Sequence, residues 1–121
     1  QKNISENLGS CGLKSNDEIV ADSAELKSIN ELYTMGWNVK PAHKPKITFG
    51  LDILRRYAIH ITDRSINTIK EFKNYKWEVD KEGEPVRPEK PINDYNHIID
   101  GARYVAVYKL AQRFQGITKA N

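Results

Sequence analysis

The chain has one cysteine, Cys11, among its 121 residues. A single thiol closes no internal disulfide and builds no zinc cluster, so disulfide-stapled scaffolds and cysteine-rich metal folds are set aside. A reducing, intracellular setting is the expectation, with Cys11 as a small buried apolar residue. No apolar run approaches the roughly 20 residues that span a bilayer. The start at Gln1 carries neither an initiator methionine nor a signal-peptide pattern, and the missing methionine is read as a sign of trimming from a longer protein. Internal repeats and low-complexity segments are missing too. Neither sign of charge dominates: 19 Lys and Arg stand against 16 Asp and Glu, a formal net charge of +3, with a pI near 9.0. That mild basic balance permits a nucleic-acid partner without demanding one, because a local patch matters more than the total.

What is present is enough for one modest core. The composition is 39% hydrophobic and 29% charged, and residues 1–121 are read as a single domain. A short helix over Asn3–Leu8 closes at Gly9 and Gly12. Asp17–Asp22 reads as a buried strand that ends on an acid. The helix after Ser23 places Leu26, Ile29, Leu32 and Tyr33 on one face and stops at Gly36, where a left-handed residue is wanted. Trp37–Lys40 resembles a second strand, and Thr48–Tyr57 a helix with Phe49, Leu51, Ile53 and Leu54 inward. Ala58–Thr62, rich in β-branched residues, is assigned as a strand. Ser65 caps a helix over Ile66–Asn74, and Tyr75–Val79 alternates with period two. Residues 80–91 turn to charge, Gly and Pro and read as a flexible loop or hairpin. Asn93 or Asp94 is the expected cap of a last helix, Tyr95–Phe114, with Ile98, Ile99, Ala102, Val105 and Leu110 inward. Residues 116–121 are a frayed tail. Helices alternating with short strands predict an α/β layered sheet.

Two acids stand out by position. Asp22 closes the apolar run Ile19-Val20-Ala21, and Asp100 sits inside the last helix beside Ile98, Ile99 and Ala102. His97 lies three residues before Asp100, on the same helical face. A carboxylate among apolar neighbours is costly unless it is paired or binds a metal. Hard divalent ions take carboxylate oxygens, and two such ions about 4 Å apart clamp a phosphodiester during attack by water. Plainer readings stay open: Asp22 as a helix cap, Asp100 paired with Arg103 or Arg56, His97 as a satisfied core histidine. Lys40, Lys44, Lys46, Arg55 and Arg56 form a basic stretch that suits either a DNA backbone or a solvated surface. Trp37 and Trp77 are read as packing residues.

Ile19-Val20-Ala21-Asp22-Ser23-Ala24-Glu25-Leu26-Lys27-Ser28-Ile29 resembles the I-x-A-D-S-A-E-P-K-S-I stretch of phage terminase large subunits. Asn96-His97-Ile98-Ile99-Asp100-Gly101-Ala102-Arg103-Tyr104 resembles their N-H-x-x-D-A-x-R-Y signature. Between them, Gly36 to Ala42 resembles G-x-x-V-x-x-A-x-K. Asn67 to Trp77, with Glu71, Phe72, Tyr75 and Trp77, is similar to N-x-x-x-E-x-x-x-Y-x-W. Four motifs in order and in register cover nearly the whole chain. Leu26 replaces the usual Pro and Gly101 the usual Ala, and the loop at Lys44–Ile47 lacks the common Gly and Ser.

The resemblance implies a ribonuclease H-like mixed sheet flanked by helices, incomplete on its N-terminal side, and a nuclease that cuts concatemeric double-stranded DNA during packaging. It implies a two-metal site for Mg²⁺ or Mn²⁺ with Asp22 as the second carboxylate, Asp100 as the third and His97 as ligand or orienting group. Lys40, Lys44, Lys46 and Arg103 are the candidates for DNA contact. The family's first metal-binding Asp, in a G-x-D context, has no counterpart before Asp22, so a fragment that is inactive or weak alone is expected, with self-association through an open sheet edge. Portal and small terminase subunit would be partners, and the host bacterial cytoplasm the location. The rival functions are a non-catalytic DNA-binding or portal-docking module and another ribonuclease H-like enzyme, such as a resolvase or transposase.

Overall fold

The computed structural model describes residues 2–114, so the expected tail at 116–121 lies outside it. The element order is α1 (Lys2–Ser10), β1 (Glu18–Ala21), α2 (Leu26–Thr34), β2 (Asn38–Pro41), α3 (Ile47–Arg55), α4 (Ile66–Asn74) and α5 (His97–Leu110). One 3₁₀ turn, Ser23–Glu25, leads into α2 and another, Ala111–Phe114, follows α5. The described residues divide into two compact units that part between Lys44 and Pro45. No helix among them is long and apolar enough to cross a membrane.

The first unit is a β-α-β crossover. β1 and β2 pair in parallel, with Glu18 opposite Asn38 and Ala21 opposite Pro41. Parallel neighbours cannot be joined by a tight hairpin, and α2 supplies the crossover. Ala42 N–H donates to the Ala21 carbonyl at 2.7 Å and carries the pairing one step beyond the strands. Ile29, Leu32 and Val39 form the buried cluster, with Leu8, Ile19, Ala21 and Trp37 packed on it. Trp37 also donates its indole N–H to Ser5 Oγ at 2.8 Å, which ties α1 to this cluster. Of the four residues expected inward on α2, Leu26 and Tyr33 are exposed instead: a nine-residue helix on a two-stranded sheet covers a narrower stripe than its periodicity offers. Gly36, at φ +96°, turns the chain out of α2 in the conformation only glycine adopts without cost. Cys11 is exposed, not buried, because it sits in the turn after α1.

In the second unit α3 and α4 both pack on α5. Ile53, Ala106 and Val107 are its buried centre, flanked by Phe49, Leu54, Leu110 and Ala111. Ala58–Thr62 is not a strand; it carries no ladder partner among the described residues, and Ala58, Ile59 and His60 are exposed. Its β-branched side chains serve packing instead: Ile59 and Ile61 line a cavity of about 570 Å³ together with Leu51, Leu54, Phe72 and Trp77. Tyr75–Val79 reaches only isolated bridges, Trp77 to Pro91 and Val79 to Pro85. Both partners are prolines, which lack the N–H that would extend a ladder. Residues 80–91 complete this hairpin, held by Glu78 N–H to Lys90 O at 2.8 Å and Val86 N–H to Glu78 O at 3.1 Å. At its tip Asp80 Oδ1 accepts from the backbone of Glu82 and Glu84.

Candidate functional site

Asp22 follows β1 directly and belongs to the first unit. Its Oδ1 accepts the Ala24 N–H at 3.0 Å and so caps the 3₁₀ turn, as the plainer reading anticipated. The same oxygen takes the Lys44 ammonium at 2.6 Å, in a pair whose side chains are 43% exposed at Asp22 and 37% at Lys44. Lys44 is therefore held against the acid. Lys40, beside Val39 on β2, is exposed, and Lys46, exposed at the cap position of α3, lies in the second unit.

Asp100 and His97 belong to the second unit and sit in the first turn of α5. His97 is exposed; Asp100 is partly buried, its side chain 29% accessible. Asp100 Oδ1 accepts from the Arg103 guanidinium at 3.2 Å, so Arg103 rather than Arg56 is the partner seen. Arg103 was expected to face DNA. The structure places it inside, 4% exposed, with its guanidinium 4.9 Å from the Tyr104 ring and its Nε buried without a hydrogen-bond partner. Its stem runs against Gly50 of α3: a Cβ built there would fall 2.3 Å from Arg103 Cγ and 2.9 Å from Cδ. Gly50 is thus the notch through which Arg103 reaches Asp100.

Burial pushes the Tyr75 phenol above its ordinary value, and the Asp100 carboxylate adds to the rise, while Arg103 opposes it. Tyr75, Asp100 and Arg103 therefore share one electrostatic neighbourhood. Arg55, from the basic stretch, lies 5.2 Å over the Trp77 ring and 3.9 Å from Asp52. Sequence reasoning gave no role to Gly50, Glu71 or Tyr75. Glu71 and Tyr75 were visible only as letters of a motif, and Gly50 carried no signal, since the need for it arises where two helices cross.

Among the described residues no three His, Cys, Asp or Glu side chains cluster as a metal cage. Each carboxylate, taken in its own unit, is partly exposed, is set against a positive group and has the oxygen chemistry that a hard divalent cation takes.

Comparison with known proteins completes the assignment. The model of the terminase RNAseH-like domain matches residues 1–107. The solved nuclease domain of the large terminase g2p from bacteriophage SPP1, with bound Mn, superposes with a TM-score of 0.72 at 26% identity, covering 89% of this chain and 62% of that one. The chain thus spans less than two thirds of that nuclease domain, and the expected ribonuclease H-like α/β fold is present with a sheet that the described residues build from two parallel strands. No curated protein matches. With a family match running from the first residue through most of α5, the chain belongs to the terminase ribonuclease H-like domain family.

Proposed function

We propose that this chain is part of the DNA-cutting module of a phage terminase, a divalent-metal-dependent endonuclease acting on double-stranded DNA in the host cytoplasm, where portal and small terminase subunit would be its partners. The observation that carries the reading is Asp100: a carboxylate kept on a helix that packs into the core, paired by a buried arginine, in a fold shared with a nuclease domain solved with Mn. The Arg103 pair offsets the desolvation cost of this carboxylate and leaves it an ionic oxygen donor at the start of a helix.

Asp22 in the first unit and Asp100 in the second would each offer carboxylate oxygens to Mg²⁺ or Mn²⁺, and His97 would add a nitrogen or orient a neighbouring ligand. Bound divalent ions supply Lewis-acid activation of water and neutralise charge at the scissile phosphate. Arg103 holds the Asp100 carboxylate by its Oδ1. Lys44 balances the charge of Asp22 in their ion pair, and the exposed Lys40 and Lys46 would meet phosphates. Because the chain spans 62% of the Mn-bound nuclease domain, cleavage by it alone should be weak.

Nicking of supercoiled plasmid with Mn²⁺ tests the reading. The 121-residue chain should nick feebly, a chain extended to the full length of the matched nuclease domain should nick strongly, and Asp100→Ala should abolish activity in both. Metal-independent DNA binding without cleavage by either chain would overturn the nuclease reading in favour of a docking module.

A further inference from the structure

The group that fixes the start of α5 is not on α5. The first N–H groups of a helix have no acceptor within it. Asn96, at the cap position, makes no side-chain cap bond, and its side-chain amide donates instead to Asn93 Oδ1. Neither Asn93 nor Asp94 caps the helix as expected. The acceptor comes from α4: Glu71 Oε1 takes the Ile98 N–H at 2.8 Å and the Ile99 N–H at 3.1 Å. Glu71 is 8% exposed. A carboxylate so buried is tolerated because two charge-assisted bonds and the positive end of the helix dipole compensate it.

The entry to α5 needs such a hold. Tyr95, one residue before the cap position, has φ +53°, a left-handed conformation that a bulky side chain adopts only when its surroundings impose it. The turn that follows carries both candidate donors: His97 is the first residue of α5 and Asp100 the fourth, its N–H bonded to Asn96 O at 2.8 Å. We infer that Glu71 is a positioning residue for His97 and Asp100, acting through the backbone of the first turn of α5. Its functional consequence rests on the metal-site reading above. Farther along, α5 is anchored by Ala106 and Val107 in the core, so loss of Glu71 loosens the first turn and spares the rest.

The test uses the ¹⁵N-labelled 121-residue chain as wild type, Glu71→Ala, Glu71→Gln and Asp100→Ala. Hydrogen exchange and Mn²⁺ titration by electron paramagnetic resonance are the two readouts. In Glu71→Ala the amides of Ile98, Ile99 and Asp100 should exchange about ten-fold faster, the loss of roughly one net hydrogen bond, while Ala106 and Val107 hold their protection. Glu71→Gln, which keeps an acceptor oxygen, should fall between. Mn²⁺ affinity should drop about ten-fold in Glu71→Ala, as for other groups that orient ligands, and recover in part in Glu71→Gln. Unchanged protection at Ile98 and Ile99 in Glu71→Ala would overturn the inference. So would loss of protection at Ala106 and Val107 in both Glu71 variants, which would make Glu71 a prop of the whole unit. Mn²⁺ binding abolished by Asp100→Ala yet untouched by Glu71→Ala would overturn it as well. Mn²⁺ binding that ignores Asp100→Ala would instead sink the metal-site reading, and exchange alone would then decide the role of Glu71.

Discussion

Arg103 shows how a residue's neighbours decide its work. Its sequence position, three after Asp100, allowed both a DNA contact and an ion pair. The geometry chooses the pair, because the aliphatic stem of Arg103 passes through the notch at Gly50 and the residue ends 4% exposed. Gly50→Ala should therefore destabilise the chain by about 1–3 kcal/mol, the usual cost of overpacking, read as a lower urea midpoint at unchanged slope. An unaltered midpoint would show that the Arg103 stem moves aside freely. Tyr75 gives a pH signature from the same neighbourhood. Burial and Asp100 raise its phenol above the ordinary 10.0, so the folded state holds that proton more tightly than the unfolded one. The associated stability is fully present below the ordinary value and is lost as pH rises through the raised one. Melting temperatures followed from about pH 8 to about pH 11 should fall at the alkaline end, and Tyr75→Phe should flatten the fall. Equal alkaline decline in both proteins would remove Tyr75 as the cause.

Elements were legible where periodicity and punctuation agree. Ile66–Asn74 is helical over the span read from its apolar spacing, and Gly36 ends α2 as a left-handed residue. The parallel strands fall within a residue or two of Asp17–Asp22 and Trp37–Lys40. Ala58–Thr62 was misread for a physical reason: β-branched residues fit any half-buried surface, and here that surface is a cavity wall rather than a sheet. The cap of α5 was misread because the sequence offers Asn93, Asp94 and Asn96 close by, while the acceptor that serves the helix stands on α4. Ser65 stands at the cap position of α4 without a side-chain cap bond, its hydroxyl 2.6 Å from that of Thr62. Capping signals record the right chemistry at short range and are blind to a carboxylate delivered by another helix.

At the scale of the molecule, each unit has its own apolar cluster, Ile29–Leu32–Val39 in one and Ile53–Ala106–Val107 in the other. Candidate phosphate contacts are likewise spread over both, with Lys40 in the first unit and Lys46 in the second. If the proposed DNA contact is correct, Lys40→Ala and Lys46→Ala should each reduce the slope of log affinity against log salt by about 0.9, one phosphate contact apiece. An unchanged slope would leave these lysines as ordinary solvated charges. The sequence by itself determined most of the helices, the two strands on either side of α2, the placement of Asp22 at a strand end and the family resemblance, because these depend on residue type and spacing within a few turns of chain. Only the tertiary structure decided that Arg103 turns inward, that Gly50 must lack a side chain and that Glu71 caps α5. Those facts depend on where α3 and α4 meet α5, a contact between residues far apart in sequence that no local pattern encodes.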